Sequence, residues 1–350
     1  MANGSHVQGV QGAQPGDEVK VPIPGILVGH AHDETLASGV TALIFEAPAI
    51  ASVAVYGGAP GLRDTALLEP GMTVERVDAL VLSGGSVYGL DSMGGVAAFL
   101  SERGQGFALR GIRVPIVPGA VLFDLANGGN KNFGSKPVYW RLGYEAAAAA
   151  KRCFALGSEG AGYGAATENL KGGFGSASAA TREGFQVLAC AAVNALGRAT
   201  IGEGPHFWAA PYERDSEFGG LGWPCPLPQG ALDFQMKGAG PESTTIAIVI
   251  TDAALSKPEA KRLAVMAQDG MARALRPSHA CLDGDTVFAA ATGTAPHPPS
   301  LRDRVEIGQC AADCLARAIA RAVYEAKALP FPGALPGWKD RFSRSVSSAG

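Results

Sequence analysis

The sequence predicts a layered α/β protein in which one β-sheet packs on another and helices cover the outside. Two sets of apolar runs of strand length alternate with segments whose apolar residues recur at helical spacing. Hydrophobic residues make up 47% of the 350-residue chain and charged residues only 17%, and 48 glycines permit many tight turns. Such a chain can bury a sizeable core, in one large domain or two.

Short strands are predicted first. Residues 40–46 and 51–56 are rich in β-forming side chains and Pro48 lies between them, so we expect a strand, a turn and a second strand. Residues 77–82 form a third apolar run, which passes into a helical pattern at 90–100.

The turn between this strand and helix contains Ser83, Gly84 and Gly85. A glycine-rich strand-to-helix turn exposes backbone N–H groups at the positive end of a helix, where they can hold a phosphate or an oxyanion. It matches neither the phosphate-binding loop nor the dinucleotide fingerprint, so a plain tight turn is the simpler interpretation.

The middle of the chain continues the pattern. Residues 113–118 and 120–125 extend the predicted sheet, and the alanine-rich segment 144–156, closed by a glycine, predicts a helix. Glycines crowd around Lys171 in the segment 160–178, and they permit the close backbone approach that active-site walls need. An apolar strand at 185–193 then ends at Asn194.

A long aperiodic segment, 203–243, precedes the most informative strand. It is rich in Gly, Pro and aromatic residues, and so long a loop in a compact chain is usually functional or mobile. After it, isoleucines alternate with smaller apolar residues from Ile246 to Ile250, which predicts a central strand buried on both faces. Thr244 and Thr245 lie at the entrance of this strand.

A threonine hydroxyl becomes a nucleophile only when a base removes its proton. If the peptide bond before the threonine is cut, the freed α-amine can serve as that base. Its ordinary pKa is about 7.7 to 8.0, so a nearby lysine or partial desolvation would keep it neutral at neutral pH. The alternative is that a threonine at a strand start reflects β propensity alone.

Downstream, Ser256 and Glu259 predict a capping box that opens a helix. The triplet Asp283, Gly284 and Asp285 opens a last strand at 286–291, and 305–329 predicts a long helix. The two carboxyls, two residues apart, would face one way on a strand, where they can tune a catalytic amine or ligate a cation. A solvated turn before the strand explains them equally well.

Several classes of function are disfavoured. A net charge of −3 gives no basic field for nucleic acid, and no serine-hydrolase elbow occurs with its strand and helix. His30 and His32 lie two apart, but no third ligand is placed by spacing, so we expect no metal or other cofactor. The six cysteines are scattered through apolar segments, which predicts buried free thiols and a reducing compartment.

The N-terminus is expected to be a flexible lead-in over residues 1–23, since it has no cationic start followed by an apolar core. No apolar run reaches the roughly 18 residues needed to cross a bilayer. A cytoplasmic protein with no membrane partner is expected.

Six stretches carry a resemblance to a known family. They cover most of residues 24–329 and read LVLSGGSVYGLDSMGGVAAFL, AVLFDL, GAGYGAATENLKGGFGSAS, VNALG, STTIAIVITDAALS and HACLDGDTVFAAATG. In order and spacing they resemble the N-terminal-nucleophile peptidase family of L-aminopeptidase/D-esterase, β-aminopeptidase and 6-aminohexanoate (nylon) oligomer hydrolase.

This resemblance implies a four-layer αββα sandwich, one catalytic domain over 24–350, that cuts itself between Ser243 and Thr244. The products would be an α chain, 1–243, and a β chain, 244–350. Thr244 would then attack an amide carbonyl of a small peptide, an amino-acid amide or an ω-amino oligoamide, with its new amine as base. The resemblance also implies a homotetramer or a larger even oligomer.

By matching position, the resemblance also assigns residue roles. Lys171 falls on the lysine beside the nucleophile, and Asn194 on the asparagine that donates to the developing oxyanion. Asp283 and Asp285 fall on the acidic pair that holds the nucleophile. Phe123 stands where the nylon-oligomer hydrolase has a tyrosine, so Phe123 and the turn at Ser83, Gly84 and Gly85 are the predicted substrate pocket.

Three alternatives remain open. The family's cleavage site often reads Gly-Ser or Asn-Thr, so a cut one residue later, before Thr245, is an alternative. An acyltransferase of the ornithine acetyltransferase type resembles this fold and also cuts before a threonine. The third alternative is a binding protein on the same scaffold that never matures, that is, never cuts its own chain.

Overall fold

Two β-sheets lie face to face in the structure, a computed structural model that describes residues 18–238 and 243–346. The strands are β1 (Val19–Lys20), β2 (Ile26–Asp33), β3 (Ser38–Val55), β4 (Gly61–Arg63), β5 (Arg76–Ser83), β6 (Phe107–Leu109), β7 (Ile112–Val114), β8 (Gly119–Val121), β9 (Cys153–Phe154), β10 (Gly173–Ala180), β11 (Gln186–Asn194), β12 (Thr244–Thr251) and β13 (Thr286–Ala291). The α-helices are α1 (Ser92–Glu102), α2 (Tyr139–Ala148), α3 (Lys257–Ala267), α4 (Asp269–Ala274), α5 (Leu301–Glu325) and α6 (Trp338–Val346).

The first sheet has the order β10-β11-β12-β13-β3, and the second sheet has β2, β3, β5, β8 and β4. Strand β3 belongs to both sheets. Its first half pairs with β2 and β5, and its second half pairs with β13. The pairs β12–β13 and β5–β8 are parallel, and the other pairs in the two sheets are antiparallel.

Three apolar layers separate these elements. Side chains of both sheets, including Leu43, Leu80 and Ile248, meet in a core between the sheets. A second core packs the outer face of the first sheet against α3, α4 and α5. A third packs the outer face of the second sheet against α1 and α2. The layers are therefore helix, sheet, sheet and helix, which confirms the predicted αββα sandwich.

Pro48 does not end a strand, so the predicted pair of strands at 40–46 and 51–56 is wrong. Strand β3 runs without interruption from Ser38 to Val55. Its register with β5 shifts between Ile44 and Ala49, and this irregularity accommodates a residue without an N–H group. The bulge lies where β3 passes from one sheet to the other.

Other differences arise from tertiary contacts. The helix predicted at 144–156 is α2, which begins at Tyr139 and ends at Ala148, because Lys151 pairs with Val28 and Cys153–Phe154 pairs with β1. Residues 112–114 form a hairpin with β6 rather than a strand of the main sheet. Strands β2 and β10 and helix α6 were not predicted. The capping box that opens α3 and the strand β13 are confirmed.

The last residues of the predicted flexible lead-in, 1–23, belong to the folded structure. Residues 1–17 lie outside the described residues, but Val19–Lys20 pairs with β9, and Val21 and Ile23 are fully buried.

All six cysteines are free, as expected, but Cys225 and Cys281 lie in loops and are exposed, so the prediction of burial is wrong for these two. Within the described ranges, no helix is long and apolar enough to span a bilayer.

The glycines of β10 serve packing, not a cleft wall. A Cβ on Gly175 would lie 2.0 Å from the carbonyl oxygen of Ala318, and one on Gly173 would lie 2.4 Å from that of Ala322. Helix α5 therefore rests directly on the backbone of β10. This close approach explains part of the glycine-rich segment that the sequence assigned to an active-site wall.

We expect Gly175→Ala to destabilise the protein by about 1–3 kcal/mol, since the added methyl group meets helix backbone that cannot yield cheaply. Gly71→Ala is the matched control, because nothing lies within 4 Å of its Cβ position. Urea-induced unfolding compares the two. Equal stability of the two variants would contradict the packing of α5 on β10.

Candidate functional site

The ladder between β11 and β12 brings Asn194 opposite Thr244. Thr244 shares its strand face with Ile246 and Ile248, which belong to the core between the sheets. Thr245 shares the opposite face with Ala247, on the side of α3 and α5. Only Thr244 therefore lies on the same face as Asn194, and the alternation of the strand favours Thr244 over Thr245 as nucleophile.

The peptide bond between Ser243 and Thr244 is surrounded by polar groups. The Thr244 hydroxyl donates to the carbonyl oxygen of Ser243 at 2.5 Å, and the backbone N–H of Gly284 donates to the same oxygen at 3.0 Å. Ser243 and Thr244 are 1% and 5% exposed. The carbonyl is thus polarised by an N–H group in a buried site, with a hydroxyl beside it.

Gly284 must be a glycine for this arrangement. A Cβ at this position would lie 2.6 Å from Thr244 Oγ1 and 3.0 Å from the carbonyl oxygen of Ala59. The glycine between the two aspartates therefore lets the loop approach the threonine closely enough for its N–H to reach Ser243.

Asp283 and Asp285 flank this glycine, and both are 1% exposed. Asp285 Oδ1 accepts the backbone N–H of Thr245 at 2.8 Å, so this carboxyl holds the start of β12. Its Oδ2 accepts from the backbone N–H of His279 at 2.8 Å and lies 3.0 Å from His279 Nδ1. The pair is buried and hydrogen-bonded, so it is not a solvated turn.

Burial raises the pKa of Asp283 to about 6, and the neighbouring charge of Asp285 adds to the effect. The backbone N–H of Ala280, which Asp283 Oδ2 accepts at 2.9 Å, acts in the opposite direction. Burial lowers the pKa of His279, but the hydrogen bond to Asp285, the charges of Asp285 and Asp283 and a backbone hydrogen bond at Gln268 together outweigh burial, and the net pKa is raised. The site therefore contains a buried aspartate, Asp283, whose pKa lies well above the ordinary value for its type.

Asn194 is fully buried, and its amide orientation is set by its partners. Oδ1 accepts the backbone N–H of Ala166 at 3.0 Å, Asn127 Nδ2 at 2.9 Å and Lys237 Nζ at 3.0 Å. An N–H group and an ammonium can only donate, so the amide oxygen must face them. Nδ2 consequently faces the other way and donates to the carbonyl oxygen of Phe123 at 2.8 Å.

Lys171 is buried, and its bridge partner in the backbone is Ala166, the residue that donates to Asn194. Its ammonium donates to the carbonyl oxygens of Gly162, Ala165 and Gly172 at 3.1, 2.8 and 2.8 Å. Burial lowers its pKa to about 7, partly offset by the charge of Asp124. Among the described residues no hydrogen bond joins Lys171 to Thr244, so a role beside the nucleophile stays a prediction.

The turn at Ser83, Gly84 and Gly85 uses its N–H groups within the protein. Gly84 donates to the carbonyl oxygen of Gly39 at 2.8 Å, and Gly85 donates to Asp124 Oδ1 at 2.8 Å. Ser83 is fully buried and donates to the carbonyl of Gly84. This geometry favours a plain tight turn, and the predicted substrate pocket here stays a prediction.

Sequence reasoning missed Asp124, Lys237 and His279. Asp124 is fully buried, accepts from Ser38 and Gly85, and has a pKa raised by burial. An acid inside the apolar run AVLFDL was the signal for it. His279 and Lys237 carried no such signal, since each reaches its partner only through the fold.

His30 and His32 make contacts with other side chains. His30 Nδ1 lies 2.9 Å from Thr41 Oγ1, and His32 stacks on Tyr163. In the part of the chain that the structure describes, no group of three His, Cys, Asp or Glu side chains could hold a metal ion.

Solved structures place the sandwich in a known class of fold. The L-aminopeptidase D-Ala-esterase/amidase of Ochrobactrum anthropi, described as a variant of the Ntn hydrolase fold, superposes with a TM-score of 0.69 at 20% identity, over 93% of this chain and 92% of that chain. A β-aminopeptidase of Burkholderia sp. gives a TM-score of 0.66 at 19% identity, over 93% and 91%.

The chain belongs to peptidase family S58, whose family model matches residues 21–333. An uncharacterized aminopeptidase of Mycobacterium tuberculosis is 39% identical over 93% of this chain and 98% of its own length. A 6-aminohexanoate-oligomer endohydrolase of Paenarthrobacter ureafaciens is 28% identical over 85% of this chain and 82% of its own. The protein is accordingly an amide-bond hydrolase, and the predicted family is confirmed.

Asp283→Asn should raise the melting temperature by a few degrees near pH 7. The folded-state pKa of about 6 lies above the ordinary 3.8, so ionised Asp283 destabilises the folded chain. This cost is fully present above pH 6 and disappears as the pH falls towards about 4, where both states bind the proton. Asparagine keeps an oxygen for the N–H of Ala280.

Thermal unfolding at both pH values, with each protein carrying Thr244→Ala to keep the chain uniform, measures the difference. A gain that is the same at both pH values, or a loss near pH 7, would contradict the raised pKa.

Proposed function

We propose that the protein is a self-processing hydrolase that cuts its own chain between Ser243 and Thr244 and then uses Thr244 as an N-terminal nucleophile. One observation carries the proposal. The Thr244 hydroxyl and the N–H of Gly284 converge on the carbonyl oxygen of Ser243, at 2.5 and 3.0 Å, in a buried site.

Self-cleavage would begin when Thr244 Oγ1 attacks the carbonyl carbon of Ser243 and loses its proton to a base. Negative charge would develop on the Ser243 oxygen, where the N–H of Gly284 already donates, and such a preorganised donor stabilises an oxyanion. Collapse would break the C–N bond as the nitrogen of Thr244 takes up a proton. The resulting ester would be hydrolysed by water, leaving a carboxylate on Ser243 and a free amine on Thr244.

The mature reaction would repeat this chemistry on a substrate. The α-amine of Thr244 would accept the hydroxyl proton, Oγ1 would attack the amide carbonyl, and the amine product would leave with that proton. Water would then release the acyl group from Thr244. Asn194, on the same face as Thr244, is our choice for the side-chain donor to the oxyanion.

The charged groups have separate roles in the proposal. Asp283 and Asp285 would balance the ammonium form of the new Thr244 terminus, since both are buried beside this strand end. Lys171, with its pKa lowered to about 7, would help to keep the new amine neutral. Perturbed pKa values of this kind cluster at functional sites.

The substrates proposed are short peptides, amino-acid amides or ω-amino oligoamides. The names of the relatives, an aminopeptidase and a 6-aminohexanoate-oligomer endohydrolase, support this range. Product analysis with an added amine acceptor separates hydrolysis from acyl transfer. Hydrolysis releases the acyl group as a free acid, whereas transfer joins it to the added amine.

The proposal includes a cytoplasmic homo-oligomer, a tetramer by resemblance. Six free cysteines support a reducing compartment. The hairpin of β6 and β7 exposes one apolar face, formed by two cross-strand pairs, and such a patch is typical of a contact between subunits. Its residues are Phe107, Val114, Leu109 and Ile112.

Thr244→Ala should abolish self-cleavage, because no hydroxyl remains to attack Ser243. Intact mass under denaturing conditions should show two fragments of the wild type, with a new N-terminus at Thr244, and one chain of the variant. Thr245→Val is the matched control, since Thr245 Oγ1 is buried and has no partner among the described residues, and it should cleave normally. An uncut wild type would point to a protein that does not mature.

Asn194→Asp should slow self-cleavage by about 100-fold or more, the usual cost of losing an oxyanion donor. Aspartate keeps the acceptor oxygen that Ala166 and Asn127 require, but it lacks the N–H group. The time course of fragment formation measures the rate, and circular dichroism checks the fold. A wild-type rate in a folded variant would remove Asn194 from the mechanism.

A further inference from the structure

Residues 228–238, which we name the strap, lie just before the scissile bond and are mostly exposed. Leu232 and Phe234 are 56% and 73% exposed. Two clefts of about 620 and 380 Å³ run along the strap, and both are lined by Asp233 and Gln235. A segment with so little buried surface depends on a few specific contacts for its position.

Two contacts with helices α5 and α6 hold the long loop upstream of the strap. Glu217 forms two hydrogen bonds with the guanidinium of Arg317, at 2.5 and 3.0 Å, and Trp338 Nε1 donates to the carbonyl of Pro205 at 2.9 Å. The strap, by contrast, is exposed along most of its length.

Lys237 joins the strap to the site. Its backbone N–H donates to the carbonyl of Leu196 at 2.8 Å. Its ammonium donates to the carbonyl of Ala166 at 3.0 Å, to the backbone carbonyl of Asn194 at 3.3 Å and to Asn194 Oδ1 at 3.0 Å. A charge from the segment to be cut thus contacts the side chain that we choose as oxyanion donor.

A charged donor does more than fix the position of an amide. An ammonium at Oδ1 draws electron density towards the oxygen, and the N–H groups of Nδ2 become stronger donors as a result. The same contact forces Oδ1 to face Lys237, so Nδ2 faces away from it.

We propose that Lys237 is a positioning residue for self-cleavage: its ammonium orients and polarises the Asn194 amide while the chain is uncut. The inference rests on the proposed function. The uncut chain carries this group six residues before Ser243, on the N-terminal product, so the contact lasts after cleavage only while the strap stays in place.

The test compares rates of fragment formation by intact mass. Lys237→Met keeps an unbranched side chain as far as Cε and removes the charged amino group, and it should slow cleavage about tenfold, less than the full loss of an oxyanion donor. Lys237→Arg restores a charged donor and should recover at least half of the wild-type rate. A role in packing alone would not be rescued by charge.

Arg276→Met is the matched control for the alternative that Lys237 only holds the strap in place. Arg276 Nη2 donates to the carbonyl of Leu232 at 3.2 Å, so this variant loosens the strap without touching Asn194. It should cleave within twofold of the wild type. If Lys237→Met cleaves as fast as the wild type, or Arg276→Met slows cleavage as much, the inference is overturned and the proposed function stands. A wild type that is never cut overturns both.

Discussion

The antiparallel pairing of β11 with β12 is the constraint on which the site depends. Side chains alternate between the two faces of a strand, so one register decides which threonine meets Asn194. Both strands are buried along almost their whole length, between a core shared by the sheets and a core under α5. A slip by one residue would move the isoleucine face of β12 into the wrong core. The packing of the two cores therefore fixes the position of Thr244.

Around this ladder, backbone groups supply most of the polar environment. The N–H of Gly284 meets Ser243, the N–H of Thr245 meets Asp285, and the N–H of Ala166 meets Asn194. Backbone donors held in place by the fold do not need to reorganise during a reaction, which is what makes them effective in electrostatic stabilisation. Burial also moves the pKa of Asp283 up to about 6 and that of Lys171 down to about 7, so both groups lie near the pH at which a proton is easily moved.

Local sequence patterns predicted the elements in which the pattern of apolar and capping residues agrees with the surroundings that the fold supplies. Strand β12, the capping box of α3 and the long helix α5 follow from residues close together in the sequence. Strand β3 was divided at Pro48 because proline normally ends a strand, whereas here it lies at the shift between two sheets. Helix α2 was extended too far because alanine favours helix, yet pairing of Lys151 with Val28 ends it. In both cases, pairing with residues far away in the chain outweighs the local structural preference.

By itself the sequence determined the strand that Thr244 and Thr245 open, and the adjacency of Asp283, Gly284 and Asp285. These follow from the two-residue period of a strand and from chain neighbours. Only the tertiary structure decided that Gly284 donates to Ser243, that Lys237 contacts Asn194, and that Lys171 faces carbonyl groups. A hydrogen bond depends on distances of about 3 Å between atoms, and no sequence spacing fixes such distances between residues that meet through the packing of two sheets.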